Sequence, residues 1–181
     1  MQIYELNKDK VLEVSGSFEY IGEIDGKVYV KGENLSEPFI PSILPQSLLT
    51  RTIAEQESAR KEKEQAFNAK CDEQLRYFES DALGESYIYD MNIEDQLNLM
   101  GLVLSKSDGF VRARKGSESK ANYPHTKVQI SQLYADALAK KNNVLLQCGV
   151  LKSHLQILDS CEAINALAWE DYEEIKEIKS K

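Results

Sequence analysis

Three of the four prolines in this 181-residue chain fall within one short stretch, at Pro38, Pro41 and Pro45. Proline fixes φ and removes a backbone donor, so neither a helix interior nor a central strand can run through residues 36–46. The stretch predicts an extended linker and the clearest boundary in the chain. Phe39, Ile40, Ile43 and Leu44 make it more apolar than a free linker, which predicts that it lies against a surface.

Before that boundary the sequence reads as β. Phe18–Ile24 and Val28–Val30 are apolar and aromatic runs flanking Asp25-Gly26. An Asp-Gly pair between such runs signals a two-residue hairpin turn, because a type I′ turn needs positive φ at both positions. Ile3–Leu6 and Val11–Val14 extend the hairpin toward a small meander. So few residues of sheet cannot bury enough apolar area to stand alone, so residues 1–35 should dock on helices of the chain or on a partner.

After the boundary the signals are helical. Residues 47–80 read as one long helix whose middle, Glu55–Gln65, carries no large apolar side chain, as in a solvated spacer. Residues 81–181 then read as a helical domain. Ser86–Met91 looks extended. Asn92 caps a helix on which Ile93, Leu97, Met100, Gly101 and Leu104 share one face. Phe110–Arg114 reads as a strand, Lys115–Tyr123 as a polar loop. Thr126 with Gln129 is a capping-box signature opening a helix through about Leu158, with a kink expected at Asn142-Asn143. Asp159 with Glu162 predicts the cap of a last helix ending near Trp169, and Glu170–Lys181 reads as a frayed charged end. The fold class predicted is mainly α: a helical C-terminal domain, a long polar helix and a small N-terminal β-hairpin or meander module.

The search for chemistry excludes more than it finds. Thirty acidic residues against 22 basic ones give a net charge of -8. Such a chain is repelled by nucleic-acid phosphates and by anionic membranes, so neither is expected as a partner. The cluster Arg112, Arg114, Lys115 and Lys120 is read as a solvated loop. Cys71, Cys148 and Cys161 are too far apart in sequence for a CxxC, and His125 and His154 show no metal-ligand spacing, so no metal and no cofactor is expected. His125 is read as a helper of the neighbouring helix cap rather than a base. Phosphate-loop, dinucleotide and nucleophile-elbow motifs are missing, and the expectation is a protein without enzymatic activity, with an enzyme of unrecognised site ranked last among the alternatives. The start MQIYE lacks the basic and apolar segments of a secretory signal, which predicts a cytoplasmic protein.

Four stretches, 90–101 (DMNIEDQLNLMG), 110–115 (FVRARK), 123–137 (YPHTKVQISQLYADA) and 157–169 (ILDSCEAINALAW), together resemble a bacteriophage and prophage domain of unknown function. That domain occurs in tail-associated proteins, often those described as tail-fibre assembly chaperones. The resemblance covers about Arg76 to Trp169. It implies a soluble carrier in the host cytoplasm that binds a fibre or tail subunit, or else a tail or baseplate adaptor retained in the virion, and a homo-oligomer is compatible with either. It supplies no catalytic residues. The expected partner-binding residues lie in the less charged parts of the chain: Phe18, Tyr20, Val28, Tyr29, Val30, Phe39 and Ile40.

Overall fold

The computed structural model describes residues 2–13 and 17–179. It is 53% helix and 23% strand, with two four-stranded antiparallel sheets. The mainly α expectation is therefore wrong: this is an α+β chain, and its N-terminal module is a sheet rather than a simple hairpin. The chain divides into two compact units, residues 1–61 with 159–165, and residues 62–158 with 166–181.

In the first unit, β1 (Gln2–Asn7), β2 (Phe18–Ile24), β3 (Lys27–Gly32) and β4 (Ile40–Pro41) form a sheet of order β2-β3-β1-β4. Asp25 and Gly26 take φ of 52° and 73°, the two left-handed positions that the type I′ turn requires. The segment expected as a strand from Val11 forms instead a 3₁₀ turn, Lys8–Glu13; Val14 lies outside the described residues. The predicted linker lies on a surface as expected, and it contributes the edge strand β4, paired to Tyr4 and Glu5. Proline is tolerated there because an edge strand leaves one side unpaired.

The central strand β3 is buried on both faces. Val28 and Val30 join Tyr4, Leu6 and Phe39 in one apolar cluster, with Phe18, Val11 and Leu35 packed against it. Tyr29 points the other way, opposite Gly22 of β2. Over that face stands Leu48 of α1 (Gln46–Gln74): a Cβ on Gly22 would sit 2.6 Å from its Cδ1, so the close approach requires glycine. The first unit thus covers its sheet with the start of its own helix.

The second unit holds β5 (Tyr77–Ser80), β6 (Tyr87–Asp90), α2 (Ile93–Ser105), β7 (Gly109–Arg114), β8 (Ala121–His125), α3 (Lys127–Leu155) and α5 (Tyr172–Lys179). The short α4 (Cys161–Ala166) belongs to the first unit except for its last residue. The long helix stops at Gln74 rather than 80 because Tyr77–Ser80 joins a meander, β5-β6-β7-β8. Residues read as loop, Ala121–Tyr123, lie in β8, where Pro124 again sits on an edge strand. Helices α2 and α3 pack on one face. Leu99, Ile130, Leu133 and Ala137 meet Phe78, Tyr89 and Ala113, with Leu102 and Val103 beside them.

Both predicted caps of this unit are present. Asp95 N–H donates to Asn92 Oδ1 at 2.9 Å, and Thr126 and Gln129 make the reciprocal pair of a capping box. No break occurs at Asn142-Asn143, and α3 runs unbroken for 29 residues, since both side chains face solvent while Val144 and Cys148 are buried. The cap of α4 is Ser160, whose Oγ accepts from Ala163 N–H at 3.1 Å; Asp159 instead pairs with Lys31 at 3.0 Å. Nor is the charged end frayed through Lys179. A 3₁₀ turn, Trp169–Asp171, leads into α5, which buries Tyr172 and Ile175.

Candidate functional site

The residues expected to bind a partner divide sharply. Val28, Tyr29, Val30 and Phe39 are buried in the first unit, and Phe18 is half-buried with its ring 5.1 Å from that of Phe39. Only Tyr20, 60% exposed, and Ile40, 59% exposed, present large apolar surface. They lie on opposite edge strands, β2 and β4. Among the described residues no strand pairs with the outer edge of β2, which offers seven residues of backbone interrupted by a bulge between Tyr20 and Gly22. An unpaired edge of this length is a template for an added strand, and a bulge shortens the regular ladder available to it.

A second feature lies where the sheet of the second unit thins. Strands β6 and β7 share only the pairs Ile88 with Arg114 and Tyr89 with Ala113. Past that point a cleft of about 250 Å³ opens, lined by Asp90, Asp95, Asn98, Phe110, Arg112 and Asn122 among others. Lys120 Nζ reaches both carboxylate oxygens of Asp90 at 2.7 Å. Asp95 Oδ2 is buried without a hydrogen bond. Burial raises the Asp95 carboxyl above its usual range, and the nearby charge of Asp90 adds to the rise. The cleft therefore brings together residues that the sequence places in four separate segments: an extended piece, a helix, a strand and a polar loop. The tertiary pairing that assembles them leaves no local spacing signal.

His125 is not a cap residue and is not placed to act as a base. Its ring is 2% exposed. Nδ1 lies 2.8 Å from the Tyr123 carbonyl, which can only accept, so Nδ1 carries the proton. Nε2 is then free to accept from the Tyr89 hydroxyl at 3.0 Å. Burial lowers the His125 pKa, the Tyr123 hydrogen bond partly opposing it, and burial pushes Tyr89 up to about 12. Both rings are neutral near pH 7 and both hydrogen-bonding needs are met. The N–H of Lys127, beside the cap, is taken instead by Asp108 at 2.8 Å.

Cys71 and Cys148 are buried, and Cys161 is partly so; burial raises the Cys71 thiol and proximity to Cys148 adds to it, the opposite of what a reactive thiol needs. Among the described residues no cluster of three metal-ligating side chains occurs, and no helix is long and apolar enough to cross a membrane. No family model matches the chain, and no curated protein or solved structure matches it either.

Proposed function

We propose that the protein is a non-enzymatic bacteriophage or prophage tail factor, a tail-fibre assembly chaperone that holds a fibre or tail subunit in the host cytoplasm. The resemblance of residues 76–169 to the tail-associated domain carries this reading. The open edge of β2, with exposed Tyr20 beside it, is the surface that suits the task. A fibre subunit shows unpaired strand edges before it assembles. An added strand satisfies its main-chain groups by hydrogen bonds, while an aromatic side chain supplies apolar contact.

Affinity capture of the tagged full chain from cells producing the phage tests the reading. Recovery of a fibre or tail subunit, reduced by Tyr20→Asp, supports it. Recovery of no tail protein overturns it. Presence of the chain in purified virions at fixed copy number favours the adaptor reading, since a chaperone leaves the particle.

A further inference from the structure

Helix α2 turns its apolar stripe outward. Ile93 is 75% exposed, Leu97 56%, Met100 39% and Leu104 74%, while the helix anchors itself in the second unit through Leu99, Leu102 and Val103 on another side. The stripe has the 4-3-4 spacing of a coiled-coil seam. That spacing is also symmetric about the point midway between Asn98 and Leu99. An α2 laid antiparallel on a second α2 about that point sets Ile93 against Leu104 and Leu97 against Met100, twice over. A self-complementary patch is what a two-fold interface requires.

Charge fits the same arrangement. From Gln96 to Ser105 the helix carries no charged residue. Glu94 stands in the first turn, and Lys106 forms the left-handed cap at the far end. In an antiparallel pair each acidic start lies beside the other copy's Lys106 and its helix C-terminus, which is favourable for charge and dipole alike. A parallel pair would set acid beside acid. Gly101 flanks the seam on the Glu94 side. Glycine weakens a helix interior, and a Cβ there would meet nothing within 4 Å, so packing within the chain does not ask for it. In the antiparallel pair it leaves room for the partner's Glu94 stem.

We infer that the exposed stripe Ile93–Leu97–Met100–Leu104 of α2 is a two-fold interface on which a second copy of this chain docks antiparallel. The inference does not depend on the proposed chaperone role. One short helix per partner places the contact near the low end of specific interface size, so the dimer is reversible and dissociates on dilution.

Sedimentation of the full chain over a range from low to several hundred micromolar tests it. The mass should rise from 20.5 kDa toward twice that value, and Leu97→Glu with Met100→Glu should hold it at 20.5 kDa throughout. Both side chains are solvent-exposed, so the variant keeps its fold, which circular dichroism verifies. Orientation is read by disulfide formation in a Cys161→Ser background: mixed Leu97→Cys and Met100→Cys chains should cross-link faster than Leu97→Cys alone. A chain monomeric at every concentration overturns the inference and leaves the stripe to a different protein. So does a dimer that survives the double glutamate variant, and so does preferential self-linkage of Leu97→Cys, which reports a parallel pair.

Discussion

Replacing His125 by leucine should remove the part of the second unit's acid sensitivity that comes from this buried ring. In the folded chain burial holds the imidazole neutral below its ordinary pKa, while in the unfolded chain it titrates near about 6.5. Between those two values the unfolded state binds the extra proton, so stability is full above about pH 6.5 and falls as pH drops through the window. One proton at 1.36 kcal/mol per unit gives a loss of up to about 1.4 kcal/mol between about pH 7.5 and about pH 5.5. The paired carboxylates Glu5, Glu73 and Asp159 are held below their ordinary range and contribute little to this window. Asp95, held above its range by burial, takes up its proton first in the folded state, acts in the opposite direction and is common to both proteins. His154 remains in both proteins, so the comparison isolates His125. Urea unfolding followed by Trp169 fluorescence reports the second unit, where Trp169 packs 6.3 Å from Phe67. At the upper pH His125→Leu should itself cost about 1–3 kcal/mol, because the Tyr89 hydroxyl and the Tyr123 carbonyl lose a buried partner. Tyr89→Phe should cost a similar amount by orphaning Nε2, yet keep the acid sensitivity. Identical pH dependence in the wild type and His125→Leu would refute the assignment of the ring as a buried neutral group.

Two further changes test how the units are built. Thr126→Ala removes one half of the capping box and should cost about 1 kcal/mol of second-unit stability, read as a lower urea midpoint with unchanged slope. Leu48→Ala empties a site only 1% exposed and should cost about 2–5 kcal/mol, with amide exchange accelerating first in β2 and β3.

The elements that could be read from the sequence are those whose hydrogen bonds are local. Asp25-Gly26, Asn92 and Thr126 each satisfy neighbours within a few residues, and all three appear as read. Half of the second sheet was legible: Ser86–Met91 and Phe110–Arg114 read as extended and appear as β6 and β7, whereas β5 was read as helix and β8 as loop because such short strands are stabilised by partners that no local pattern announces. Pro124 also masks β8, since its place on an edge is a tertiary fact. Periodicity showed that α2 has an apolar face, but not which way that face turns. Leu99, Leu102 and Val103 lie on another side and hold the helix down, leaving the more regular stripe in water. The cleft at Asp95 was equally invisible, because Asp90, Asp95 and Arg112 converge only after β6 and β7 part.

That parting has a mechanical meaning. With two residue pairs joining β6 to β7, the backbone ladder between the two hairpins of the second sheet is short, and side chains carry the rest of the connection: the Tyr89–His125 hydrogen bond, the Asp90–Lys120 pair and the helices packed on one face. Where the ladder stops, α2 supplies one wall of the gap through Leu99 and Leu102. Helix α2 thus shows the cleft one side, Leu99 and Leu102, and the solvent the other, so a molecule seated on its exposed stripe would touch the same helix that walls the cleft.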